Sequence, residues 1–474
     1  MFPAARWMNI LQKEGVTMAK DSALGKRAWF NLCLFGFIGQ IAWNLENMYF
    51  NTFLYNTVYE GGTVGVGLSS MKAIKLMVAL SAVTAVVTTF LMGNLSDKIN
   101  RRKIFISCGY LLWGFTVLIF GFITKDNVAK LFGLDPSNVA AVVTATSVAV
   151  IVMDCVMTFM GSTANDSAFN AWITDITTPK NRATVESVLS ILPIGAMIGV
   201  IVFAGFIQQI GYPTFFFVIG AVVIVSGLVG FFTLTDSKNG VKSNENYFRE
   251  LFYGFRPSVI KENVRLYLAL AAVCLYSVAV QVWMPYILIY LEHSLHFNVE
   301  NLTQYLTTPV LIAAPFVLAA VVAAVILGGR LIDKIGKNVL IFVAFGLFVV
   351  GCFGAFFART LGPFALAAVP LLAGYGFLGI MLNATVRDHT PEDKVGLFQG
   401  VRMIFFVLIP MVVGPHIGDL ACSLSKSGQY VDEMGNLTYE PAPSMFLAAG
   451  IVIVFTLIPL IALKKKGFAA DNKS

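Results

Sequence analysis

Glu46, Asp154 and Asp166 each stand inside a long stretch that is otherwise apolar. An ionisable side chain at bilayer depth costs about 2.5 to 3.5 kcal/mol, so one that persists faces a partner or a wet cavity. Such a carboxyl can bind and release a proton near neutral pH, which is the chemistry of coupling transport to a gradient. Counting back from Asp175 at about 1.5 Å per residue places Asp166 roughly 13 Å from the end of its helix, near a membrane midplane. Asp154, Thr158, Ser162, Asp166 and Asn170 recur at i+4 steps and form a slowly drifting polar stripe, as expected of a pore wall. The competing reading is a carboxyl hydrogen-bonded to a neighbouring helix. For Glu46 that alternative is an ion pair with Lys72 or Lys75.

A second set of side chains suits a hydroxyl-rich ligand. Gln40, Asn44, Asn47 and Asn51 fall on one helical face with Trp43 beside them. Amides both donate to and accept from sugar hydroxyls, and an indole plane covers the apolar face of a pyranose. Polar glue between helices is the plainer alternative. Later in the chain, Tyr276, Gln281 and Trp283 share one apolar run, and Asn383 is the counterpart of Asn170. Arg402 is expected to act as a gate or to snorkel towards the membrane surface.

The elements holding these residues must be membrane helices. The chain is 57% hydrophobic and 12% charged, with a mean hydropathy of +0.78. That is about half the usual 25% charge of a soluble domain. Twelve uncharged or nearly uncharged runs reach the roughly 20 residues a hydrocarbon slab demands, near 29–56, 68–93, 103–124, 146–176, 183–209, 213–234, 263–290, 302–328, 339–358, 362–386, 396–422 and 443–463. Of 33 Lys and Arg, all but Lys72, Lys75, Lys125, Lys130, Arg359 and Lys426 lie in the terminal segments, in the even-numbered turns or in the span ends that adjoin those turns. The positive-inside rule then puts both termini in the cytoplasm of a multi-pass protein of the plasma or inner membrane. It also accounts for the formal charge of +7 without nucleic acid. Residues 1–28 lack the small-residue cleavage site of a signal peptide, so the first span is expected to be retained. The six cysteines are scattered one to a span, which argues for core packing and against a metal centre. No Gly-x-x-x-x-Gly-Lys phosphate loop and no nucleophile–base set occurs, so an enzyme is not expected and no cofactor is called for.

Two segments are near copies. Gly93-Asn-Leu-Ser-Asp97-Lys-Ile-Asn-Arg101-Arg-Lys103 and Gly329-Arg-Leu-Ile-Asp333-Lys-Ile-Gly-Lys337 each join two apolar runs. A second pair, Asn170-Ala-Trp-Ile-Thr-Asp175 and Asn383-Ala-Thr-Val-Arg-Asp388, closes the fourth and tenth runs. The chain therefore divides into a segment 1–28, a six-helix bundle 29–234, a cytoplasmic linker 235–262, a second bundle 263–463 and a tail 464–474. Parallel repeats of this size place a cavity between halves at the midplane. The stretch from Tyr430 to Tyr439 reads as an external hairpin.

The Gly-x-x-x-Asp-(Lys/Arg) turns resemble the signature loop of the major facilitator superfamily, with Asn100 where glycine is usual. The resemblance implies a twelve-helix, all-α membrane fold in two bundles. It also implies gating roles for Asp97, Arg101 and Asp333, whose local alternative is topology anchoring alone. Around the fourth span, Asp166-Ser-Ala-Phe-Asn-Ala-Trp-Ile-Thr-Asp175 with Thr177, Pro179 and Arg182 is similar to the glycoside-pentoside-hexuronide:cation symporters, with Ala168 and Thr174 replacing prolines. The first span, from Gly39 to Tyr49, is similar to that of the related sucrose transporters. In the symporter family the aspartate at the Asp166 position takes part in cation binding. Sodium-using members carry acidic residues on the second span, which here has two lysines and no carboxylate, so a proton is expected in place of Na+. The expectation is a monomeric symporter of a sugar or glycoside. The alternatives are a proton-driven exporter of amphipathic compounds, or a transporter-shaped sensor or scramblase.

Overall fold

A computed structural model describes residues 24–59, 70–99, 101–177, 182–236, 253–298, 300–301, 337–391, 395–425, 429–431 and 437–466. The eighth expected span, Asp333 and the side chain of Asp97 lie outside the described residues. Every other expected span is a helix. They are α1 (Lys26–Val58), α2 (Ser70–Ile99), α3 (Arg102–Phe120), α5 (Val139–Ile176), α6 (Arg182–Ala204), α7 (Ile207–Thr233), α9 (Val264–Ser294), α10 (Lys337–Phe357), α11 (Leu361–His389), α12 (395–424) and α13 (444–466). Two short helices were not expected: α4 (Lys125–Phe132) and α8 (Pro257–Glu262).

α4 begins where the Thr124 hydroxyl accepts the Asn127 amide at 3.2 Å. It ends at Gly133, whose φ of 62° is the left-handed cap glycine reaches without a Cβ penalty. The strands β1 (Gln429–Val431) and β2 (Leu437–Tyr439) pair antiparallel with Tyr430 opposite Thr438, forming the expected hairpin.

Without a hydrophobic drive between helices in lipid, close packing needs small residues. A Cβ on Gly114 would come within 2.7 Å of Gly220 O, so α3 and α7 meet backbone to backbone. A Cβ on Gly374 would come within 2.3 Å of Phe348 N, which does the same for α10 and α11. Large apolar side chains also cover the outside, among them Phe232, Leu366 and Val369. Apolar side chains both within and around the bundle are what a bilayer solvent requires.

Several helices widen locally into i→i+5 turns: Leu45–Phe50 and Leu54–Val58 in α1, Ser162–Phe169 in α5, Tyr290–Ser294 in α9 and Ile404–Leu408 in α12. Such turns recur at functional sites because they re-aim side chains without ending the helix. Here they hold Glu46, Asn47 and Asp166.

Candidate functional site

Glu46, Ser81, Thr158 and Asp154 form a buried polar cluster linking α1, α2 and α5. Glu46 Oε1 accepts the Ser81 hydroxyl at 2.5 Å and the Thr158 hydroxyl at 2.9 Å. Ser81 and Thr158 lie 2.8 Å apart, and Thr158 also reaches Asp154 O at 2.9 Å. Glu46 is 6% exposed and Asp154 1%. Glu46 Oε2 and Asp154 Oδ1 are buried without a hydrogen-bond partner, and neither carboxyl has a basic partner among the described residues. The expected alternative for Glu46 does not form, because Lys75 pairs with Asp419 on α12. Lys72 is exposed. Two uncompensated carboxylates in so dry a place would cost several kcal/mol each.

Asp166 stands further along α5, partly exposed, and accepts the Ser162 hydroxyl at 3.0 Å. It lies within electrostatic range of Glu46 and Tyr110. Asn170 is exposed one turn on, with its amide donating to Asp166 O at 3.1 Å. The expected stripe thus runs from buried Asp154, Thr158 and Ser162 to accessible Asp166 and Asn170.

On α1 the amides of Asn44, Asn47 and Asn51 each donate to the carbonyl four residues back, at 2.8, 2.7 and 2.9 Å. That fixes each side-chain rotamer and directs the oxygen end outward from the helix. Gln40, Trp43, Asn44 and Asn47 are partly exposed, and Trp43 packs on Trp113 with ring centroids 5.0 Å apart. Asn165 donates to Tyr110, and Tyr110 to Phe35 O, both at 2.6 Å, tying α1, α3 and α5 into one wall.

The second bundle presents less. The Tyr276 hydroxyl donates to Tyr375 O at 2.7 Å and is buried between α9 and α11. Trp283 is buried against Phe446 of α13, while Gln281 lies partly exposed beside Gly414 of α12. Arg402 stacks over Phe406 at 4.9 Å and its guanidinium lies 3.5 Å from Asn383 Oδ1, so these two residues meet on one wall. Arg101 is exposed. The buried cation of that loop is Arg102, which donates to Ser96 at 2.6 Å and to Asp175 at 3.2 Å, so the two repeated motifs of the first half are clamped together.

Sequence reasoning missed the polar contacts at the opposite end of the bundle. Asn56 donates to Glu292 at 2.9 Å and to Glu300 at 2.8 Å, and accepts from His293 Nε2 at 2.9 Å. Tyr212 donates to Glu300, and Tyr439 to Asp419. Burial holds the Glu300 carboxyl above the usual carboxylate range, with the Glu292 charge adding to the effect and the Tyr212 and Asn56 hydrogen bonds opposing it. Glu292 and Glu300 flank an apolar run and carry no spacing signal.

The Major Facilitator Superfamily profile matches residues 32–415. The chain belongs to the Major Facilitator Superfamily. Its fold is similar to the inward-open xylose transporter XylE from E. coli (TM-score 0.64, 12% identity, covering 94% of this chain and 98% of that one). It is also similar to a bacterial homologue of the human lysosomal transporter Spinster in an inward-facing, occupied conformation (TM-score 0.59, 14% identity, 95% and 100% covered). The nucleoside transporter NupG is a third (TM-score 0.56, 12% identity, 92% and 98% covered). No curated protein sequence matches the chain. Membership makes this superfamily protein a multi-pass membrane transporter of small molecules and not an enzyme, working by alternating access.

Proposed function

We propose that the protein is a proton-coupled symporter of a sugar or glycoside, with both termini cytoplasmic in the plasma or inner membrane and the monomer as its working unit. One observation carries this reading: Glu46 and Asp154 are buried together with orphaned oxygens and no described basic partner. A proton neutralises such a group at no cost in space, whereas a sodium ion needs a cage of oxygens at fixed distances. Asp166, partly exposed one electrostatic step away, is the relay between this pair and the cavity.

The substrate wall is the α1 face of Gln40, Trp43, Asn44 and Asn47, with Asn170 on α5 and Gln281 and Asn383 contributed by the second bundle. Amide oxygens held in fixed rotamers next to an indole suit a ring that presents hydroxyls on its edge and C–H groups on its face. A xylose carrier and a nucleoside carrier among the similar folds both handle sugar rings, which favours this class.

The experiment uses proteoliposomes loaded at one pH and diluted into another, with a panel of radiolabelled mono- and disaccharides. A substrate is expected to accumulate against its gradient when the outside is acidic. Asp166→Asn and Asp154→Asn are expected to abolish accumulation while sparing exchange of internal for external sugar. Undiminished pH-driven accumulation in both variants refutes the coupling assignment, and net efflux in place of uptake refutes the direction.

A further inference from the structure

We infer that Asn56 is a gating residue: its side chain is the pin of a polar latch that holds the two bundles shut at the end opposite the termini. The inference rests on the alternating-access reading but on none of the assignments of substrate or coupling ion. Asn56 belongs to α1 of the first bundle, while its three partners belong to the second: Glu292 and His293 on α9, and Glu300 just beyond it.

One amide thus uses both N–H groups on carboxylates and its oxygen on an imidazole, which leaves it no donor for water. Only an asparagine or glutamine can donate twice and accept once from one planar group. The stretch after α9 is strapped to the first bundle a second time, since Tyr212 donates to Glu300 and Gln208 N donates to Glu300 O at 3.0 Å. A separate tie lies between α2 and α12, where Lys75 pairs with Asp419 and Tyr439 of the hairpin also donates to Asp419. All these bonds except the one from Tyr439 to Asp419 cross from bundle to bundle, and rocking open at this end must break them together.

The latch is also sensitive to charge. The groups facing it are Glu292 and His293 from α9, Glu300 and His296 after it, Tyr49 and Tyr55 from α1, Tyr212 from α7 and Glu440 beside the hairpin. Lys75 is already engaged with Asp419. Two carboxylates within reach of one neutral amide repel each other when both are ionised, so a proton on either favours closure. Closure is therefore expected to strengthen as the pH at that face falls and to weaken as it rises.

The test is a distance measurement on the full-length protein in liposomes, with no substrate present. Spin labels at Leu131→Cys and Leu424→Cys, in a background without native cysteines, report the separation of the bundles at this end by double electron–electron resonance. Asn56→Asp, which puts a third carboxylate in the latch, is expected to raise the ratio of a longer, open component to the closed one at least tenfold. Asn56→Gln, which keeps the amide, is expected to stay near the parent. Raising the pH is expected to shift the parent towards the open component, and Glu292→Gln combined with Glu300→Gln to remove that shift. A distribution unchanged by Asn56→Asp overturns the gate. Should that variant not fold, a pH shift of equal size in the double glutamine variant overturns it instead. Loss of sugar uptake with an intact distance response would count against the proposed function and leave the latch standing.

Discussion

Replacing Glu46 with Gln separates a proton carrier from a structural acid. The side chain sits among Ser81, Thr158 and Asp154, with Oε1 accepting two hydroxyls at 2.5 and 2.9 Å and Oε2 unpartnered. A carboxyl that carries its proton in this state has glutamine as its shape-matched replacement, so Glu46→Gln is expected to change stability by less than about 1 kcal/mol. Glu46→Ala leaves a cavity and takes an acceptor from two buried hydroxyls. The hydroxyls keep each other at 2.8 Å, which moderates the loss, and about 2 to 4 kcal/mol is expected. In a detergent thermal melt the alanine variant should therefore fall by several degrees and the glutamine variant hardly at all. The functional readout goes the other way. One proton per sugar gives roughly tenfold accumulation per unit of pH gradient, from about 1.4 kcal/mol per unit. Glu46→Gln should bring that ratio to one while sugar exchange continues. Accumulation at the parental level would refute the reasoning, and so would a glutamine variant as unstable as the alanine one.

Other perturbations reach different parts of the argument. Arg102→Ala is expected to destabilise the first bundle by about 3 kcal/mol, because it strips the counter-charge from the partly buried Asp175, and a lowered melting midpoint checks it. Gly39→Ala would put a Cβ 2.2 Å from Asn165 Nδ2 and 2.5 Å from the Tyr110 hydroxyl. It is expected to break the Tyr110–Asn165 bond and cut transport severely with little change in expression, whereas Gly199→Ala, where nothing lies within 4 Å, should be silent in the same uptake assay. At the surface, the Ser137 amide holds the Asp135 carboxyl below the usual carboxylate range. Its turn is therefore supported above that range and loosens as the pH falls through it, which faster amide exchange at Ser137 at low pH, corrected for intrinsic rate, would reveal.

The membrane helices were legible because hydrocarbon thickness imposes a length and an apolar composition that few other structures share. The short helix α4 was not, since eight residues with Lys125, Asp126 and Lys130 read equally well as a polar loop. Intramembrane carboxylates announce themselves by cost, so Glu46, Asp154 and Asp166 stood out. Their partners did not: Ser81 is one hydroxyl among several on α2, and a serine in lipid is cheap enough to carry no signal. Lys75 illustrates the opposite limit. Its cost was visible, but the choice between Glu46 on its own bundle and Asp419 more than three hundred residues away depends on how two bundles meet, which local pattern does not encode. Asn56 carries no sequence signal for the same reason, since its partners lie on the other bundle. The basic loop after α2 was found by its repeat, yet the buried member is Arg102 and not Arg101, a one-residue difference that a helix start decides.

The wide turn at Ser162–Phe169 sets which way the polar stripe of α5 faces. In a regular helix an i+4 step advances about 40° beyond a full turn, so five such positions sweep almost half-way round the cylinder. The stripe from Asp154 would then leave the α1–α2 interface and end facing an unrelated neighbour. An i→i+5 turn advances each residue by a smaller angle, and eight such residues cancel part of that drift. Asp154, Thr158 and Ser162 are consequently buried against neighbouring helices, while Asp166 and Asn170 open to solvent-accessible space. One continuous row thus joins a dry acid pair to a reachable carboxyl, with the Ser162 hydroxyl bridging the step to Asp166. On the proposed proton-coupled reading, a proton entering at Asp166 would meet the hydroxyls of Ser162 and Thr158 at successive turns on the way to Glu46. A helix regular throughout would have offered the same residues in the same order without a shared face.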